Sequence, residues 1–165
     1  MLLGEDGSLY EDSWRHLGDD EAVPDSDAVT VSLARWKTAN GELHARNGKL
    51  GLRLPNDAAP EVVAPDLGRF DLIVLQFPKF TDGRAYSQAR LLRDRYGYKG
   101  ELRAAGDVLR DQLLFMRRCG FNSFVVGERA LKEDWGKAFG EFDVFYQAAA
   151  DHRPWVMRQR LGKAH

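Results

Sequence analysis

The chain has 165 residues, 44% hydrophobic and 30% charged, with a formal net charge of −1. That is enough apolar surface for one packed domain and excludes a disordered or fibrous chain. The near-neutral balance gives no reason to expect nucleic acid or a membrane surface as partner. Its single cysteine cannot form an internal disulfide, which points to a reducing compartment.

In chain order, Met1 to Ala28 carries nine acidic residues against one basic, Arg15, and is broken by Gly4, Gly7, Gly18 and Pro24. It reads as an acidic extension (1–28), solvated or serving as a docking strip. Leu2–Leu3 and Leu9–Tyr10, flanking GEDG, suggest a short hairpin within it. The start has neither a basic n-region nor a long apolar run, so no signal peptide is expected. No stretch approaches the roughly 18 apolar residues of a spanning helix. A cytoplasmic protein is the expectation.

A single α/β domain is expected over 29–150. Val29–Leu33 is a short β-rich run, followed by a helix from Arg35 to about Arg46. Leu50–Leu54 is a second strand, ended by Pro55, after which Asn56 or Asp57 can cap a helix to about Leu67. Leu72–Phe77, LIVLQF, is the clearest strand, a continuous apolar run suited to burial on both faces. A helix is predicted over Arg84–Tyr96, stopped by Gly97. Glu101–Ala105 is the next strand, and Asp107 is placed to cap a helix over Val108–Arg118 that Gly120 ends. Ser123–Val126, a helix over Ala130–Phe139 and a strand over Phe142–Gln147 complete the series. The tail 151–165 has four cations against Asp151.

Successive β-to-α steps predict a mostly parallel sheet of about five to six strands with flanking helices. A flavodoxin-like or Rossmann-like sandwich fits, and a partial TIM-barrel-like arrangement is the alternative. In either, the loops leaving the strand C-termini gather on one edge and hold the ligand site. Those loops carry Arg35, Asn56, Asp57, Lys79, Thr81, Asp82, Gly83, Arg84 and Asp107, joined one turn into their helices by Ser87 and Arg110, with Tyr86 and Arg90 on the same helix as Ser87. Helix N-termini aimed at such an edge attract anions, and Lys79 and Arg84 add to that pull. Asp57 and Asp107 also read as plain caps and Asp82–Gly83 as a plain turn. The string PKFTDGRAYS is richer than a connection requires.

Several chemistries lack their signatures. There is no GxGxxG and no P-loop. His16, His44, His152 and His165 show no metal-ligand spacing. One cysteine holds neither an iron–sulfur cluster nor a CxxC pair. Cys119, at a helix end, reads as buried and structural. Ser87 has no GxSxG elbow and no histidine beside it.

The string FPKFTDGRAYSQARLLRDRYGYKGELRAAGDVLRDQLLFMRRCGFNSF from Phe77 to Phe124 resembles the bacterial family called domain of unknown function 934. The likeness extends through DSWRHL, VSLARW and GLRLPNDAAPEVVAPDLGRFDLIVL, covering the chain to about Gln147. The family's signature falls on Lys79, Asp82, Gly83, Arg84, Tyr86, Ser87, Arg90, Gly106, Asp107, Arg110, Asp111, Gln112 and Cys119, much of it on the edge the topology singles out. The resemblance implies a pathway more than an activity. Members are described as oxidoreductases or accessory proteins of sulfite reduction, encoded beside the sulfite reductase hemoprotein and the adenylyl- or phosphoadenylyl-sulfate reductase. The expectation is an accessory protein that binds one of those enzymes through this edge, with no cofactor. The alternative is a small α/β oxidoreductase or a sulfur-oxyanion or nucleotide enzyme of the same pathway. There Lys79, Arg84 and Arg110 would hold the anion, Asp82 or Asp107 would serve as acid–base, and a flavin would be possible. The resemblance supplies no catalytic residue and no oligomeric state.

Overall fold

The computed structural model describes residues 1–139. The expected strand Phe142–Gln147 and the basic tail 151–165 lie outside them. Eight strands form one sheet: β1 (Leu2–Gly4), β2 (Leu9–Tyr10), β3 (Arg15–His16), β4 (Val29–Ser32), β5 (Leu50–Leu54), β6 (Leu72–Phe77), β7 (Glu101–Gly106) and β8 (Ser123–Val125). Their order is β2-β1-β8-β7-β6-β5-β4-β3. β3 to β8 run parallel, and β1 joins β8 and β2 antiparallel.

From β4 to β8 the strands lie in chain order without reversal. A flavodoxin-like or Rossmann-like sandwich requires a reversal, because only that places helices on both faces. Right-handed crossovers that always step the same way put every helix on one face. The doubly wound expectation is therefore corrected to the sequential winding of a partial (β/α) barrel. The strand count also exceeds the expected five to six.

The additional strands come from the first sixteen residues. The expected hairpin forms, pairing Leu2 with Tyr10, but β1 also pairs with β8. The next segment, instead of trailing into solvent, supplies β3 at the opposite edge. Tyr10 and Arg15 are separated by five residues, about 18 Å at full extension. In a flat sheet, seven inter-strand steps of about 4.8 Å would put the two edges about 34 Å apart. The sheet must therefore curl until its edges approach, and residues 11–14 bridge the gap.

Alternation along each strand then makes two cores. Val31, Leu52, Leu54, Ile73, Leu75, Phe77, Leu102, Ala104 and Phe124 face the helices, where they meet Trp36, Leu43, Ala89, Leu92 and Met116. The opposite, concave face carries Leu72, Val74 and Ala105, covered by Trp14 and Val125. Beside this small apolar patch sits a polar layer. Arg103, 1% exposed, donates to Asp12 Oδ2 (2.9 Å) and twice to Glu101 Oε1 (3.0 and 2.7 Å). Ser123 Oγ donates to the same Glu101 oxygen (2.6 Å). His16 bridges Asp12 Oδ2 and Thr30 Oγ1 at 2.9 and 2.7 Å. A guanidinium this buried is tolerable only when paired and hydrogen-bonded.

The helices follow the sequence with instructive departures. α1 (Leu33–Ala45) begins at Ser32, whose Oγ accepts from the Arg35 N–H at 3.1 Å. The segment after β5 is a 3-10 helix, Pro60–Arg69, with Pro60 at its first turn and Pro65 inside it, where no N–H is available to donate. Its N-cap is Ala59, so neither Asn56 nor Asp57 caps it. α2 (Arg84–Arg90) continues as a π-turn over Leu91–Arg95, and Gly97 follows at φ 65°. α3 (Leu113–Arg118) starts well after Asp107, behind a 3-10 turn at Arg110–Gln112, and Gly120 follows it at φ 108°. The predicted 130–139 helix is divided into α4 (Arg129–Lys132) and a 3-10 helix, Trp135–Phe139, with Asp134 at φ 48° between them. Among the described residues no helix is long and apolar enough to cross a membrane.

Candidate functional site

The C-terminal ends of β5, β6 and β7 bring three loops together, and side chains freed from capping tie them to one another. Asp82 makes a local turn, accepting at Oδ1 from the Arg84 N–H (3.1 Å). The Arg84 guanidinium returns to the same carboxylate through Nε (3.1 Å) and Nη2 (2.8 Å). Asn56, on the loop after β5, donates from Nδ2 to Asp82 Oδ2 at 2.6 Å. The Arg84 side chain, with the turn N–H and Asn56, holds the Asp82 carboxyl below its ordinary range.

The second tie runs from β7. Asp107 Oδ2 accepts from the Phe80 backbone N–H at 2.9 Å, and Gln112 Nε2 donates to the Phe80 carbonyl at 3.1 Å. Both backbone polar groups of Phe80 are thus held by side chains of the β7–α3 connection. The residue is left 49% exposed. Gly106, at φ 97°, permits the close approach: a Cβ there would lie 2.3 Å from the Phe77 carbonyl oxygen. Gln88, buried on α2, holds the β5 loop by donating to the Pro55 and Ala58 carbonyls, both at 2.7 Å.

Tyr86 packs edge-on against Phe77 (centroids 5.0 Å apart) and tilted against Phe115 (4.9 Å). Burial pushes its hydroxyl up to about 12, so it stays protonated. Phe115 is itself 46% exposed. Lys79 and Thr81 stand exposed beside Phe80.

The structure therefore brings Asn56, Asp82, Arg84 and Asp107 into one braced loop cluster with Lys79 and Thr81 at its tip. Arg110 stays on this edge, on the turn that also carries Gln112. Asp57 and Ser87 are exposed. Arg90 turns inward to the Cys119 thiol, which burial pushes up even though Arg90 opposes the shift. Gly83 has φ −80° and open space where a Cβ would go, so glycine is not required there.

The expected pull of helix N-termini on an anion is weaker than the sequence suggests. The β5 connection enters a 3-10 helix, and α3 begins six residues past Asp107. Sequence reading missed Phe80, Gln88 and Phe115, and met Gln112 only in the signature that the resemblance implies. Phe80 left a usable signal, a large aromatic inside an otherwise polar loop. Gln88 left none, since its role depends on a loop distant in sequence. Among the described residues no group of three His, Cys, Asp or Glu side chains could hold a metal ion.

A family model described as a bacterial protein of unknown function (DUF934) matches residues 51–156, including every loop of this edge, and the chain belongs to that family. No curated protein matches the chain.

Proposed function

We propose that this family member is a docking protein: an accessory component of assimilatory sulfate and sulfite reduction that binds the sulfite reductase or the sulfonucleotide reductase through this braced edge. The observation that carries the docking role is Phe80, an exposed aromatic whose backbone N–H and C=O are both fixed by another element's side chains. Binding hot spots are enriched in aromatics, and fixing such a group beforehand reduces the ordering cost of association. Phe115 adds apolar area nearby and Lys79 a charge at the rim.

The carboxylates available for acid–base work are already engaged. Asp82 is bound to Arg84 and Asn56, and Asp107 accepts from the Phe80 N–H. This favours recognition over catalysis. The pathway comes from the family resemblance, whose members are encoded beside those reductases.

The test is affinity purification of tagged protein, at native level, from its own host growing on sulfate. Recovery of either reductase with the wild type, and its loss with Phe80→Ala, is the expected result. Truncating a hot-spot aromatic costs about 2 kcal/mol or more of binding. Undiminished recovery with Phe80→Ala would remove the edge from the proposal. Recovery of neither reductase with the wild type would remove the pathway assignment.

A further inference from the structure

On the same edge, between the Asp107 and Gln112 ties to Phe80, the connections leaving β7 and β8 line a half-open cleft of about 360 Å³. Its apolar wall is Val108, Leu109 and Trp135, and its polar wall comes chiefly from Arg110, Arg129 and Glu133. The volume falls in the range of small-ligand pockets, which pair an apolar wall with a few fixed polar groups.

The polar wall is organised by Glu133, which acts as a brace. Its Oε1 accepts from Arg129 Nε at 2.6 Å and its Oε2 from the Trp135 indole N–H at 3.0 Å. Both carboxylate oxygens are thereby used within the protein. Arg129 spends only Nε on this contact, and among the described residues its two Nη groups have no partner. Arg110 adds a second positive charge close enough to help hold Glu133 ionised. Asp111, the remaining charged lining residue, is exposed. The Nη groups of Arg129 present donors in the fork geometry that suits an oxyanion, beside a Glu133 carboxylate that keeps its charge and further acceptor sites.

We infer that this cleft binds a small molecule bearing an oxyanion (phosphate, sulfate or carboxylate), with the Arg129 fork on the anion and the ligand's body against Val108, Leu109 and Trp135. The site stands independently of the docking role. It needs no partner protein and uses neither Phe80 nor Lys79.

The test is isothermal titration calorimetry on the full chain with inorganic sulfate, inorganic phosphate and adenosine 5′-monophosphate as probes. Arg129→Ala is the site variant, Arg129→Lys the charge-retaining one, and Lys132→Ala on the same helix the control. Circular dichroism melts verify that each variant folds. Saturable binding of at least one probe is expected, unchanged in Lys132→Ala. Arg129→Ala should weaken it about tenfold or more, the loss of one charge-assisted hydrogen bond, and Arg129→Lys should fall between. Tighter binding of the nucleotide than of phosphate would assign the apolar wall to the ligand's body. No saturation by any probe at millimolar concentration would overturn the inference, as would binding indifferent to Arg129→Ala. Because no reductase is present in this assay, its failure is separable from failure of the docking proposal.

Discussion

Asp12→Ala tests how the N-terminal bridge closes the curled sheet. Asp12 accepts from the Trp14 N–H (3.0 Å), His16 Nε2 (2.9 Å) and Arg103 Nη1 (2.9 Å). The Arg103 side chain is 1% exposed and that of Asp12 22%. Removing one partner of a buried pair costs about 3–5 kcal/mol when the other charge is left bare. Here Glu101 still holds Arg103, so the expected loss is about 2–3 kcal/mol, comparable to one charged hydrogen bond plus a local backbone bond. Urea unfolding of wild type, Asp12→Ala, Arg103→Met and the double variant measures both the loss and the coupling. Amide exchange should rise together at Arg15 and Leu17, whose N–H groups pair with Ala28 and Thr30.

The pH dependence has a definite sign. Burial alone would raise the Asp12 pKa, but the Trp14 N–H, His16 and Arg103 together hold it below its ordinary value. A carboxyl with a depressed folded pKa contributes stability that is present above its unfolded pKa, about 3.9. That contribution disappears as pH falls through the folded value. The wild type should therefore lose its advantage over Asp12→Ala in acid, below about pH 4. A destabilisation under about 0.5 kcal/mol at neutral pH, with no coupling to Arg103, would refute the bridge as a closing element.

Further perturbations address the edge and the core. Asp107→Ala should speed amide exchange at Phe80 and cost about 1 kcal/mol in urea; an unchanged Phe80 amide would mean that the loop is held by other contacts. Gly106→Ala should cost about 1–3 kcal/mol in thermal unfolding, from φ 97° and the 2.3 Å approach to Phe77 O. Gly83→Ala, at φ −80° with open space, should be neutral or stabilise by up to about 1 kcal/mol. Cys119, fully buried with a raised thiol pKa, should react with a disulfide reagent far more slowly in the native protein than in urea, and equal rates would contradict its burial.

Much of the candidate site was legible because strand C-termini can be located from apolar runs and their stops. LIVLQF followed by PKFTDGRAYS places the loop directly after a buried strand. The roles of its residues were not legible. Asp107 looks like a cap for the helix that follows, yet its carboxylate takes the Phe80 N–H, twenty-seven residues upstream. Asn56 looks like a cap as well, and instead meets Asp82. A short polar side chain near a loop has several partners of similar energy, and proximity in space selects among them.

The sequence by itself determined the parallel strands and several helix stops. Period, length and the left-handed glycines Gly97 and Gly120 act within a few residues. It also put Pro60 and Pro65 in the segment after β5, although the 3-10 form of that segment emerged only with the structure. Tertiary structure alone decided the winding, because the direction of each crossover is not written in the strand it leaves. It also decided the place of the first sixteen residues, which read as a solvated acidic head and instead supply both edges of the sheet. One reason is the Arg103 guanidinium inside the curl: Glu101 meets its Nε and Nη2, and Asp12, ninety-one residues away in the chain, meets its Nη1.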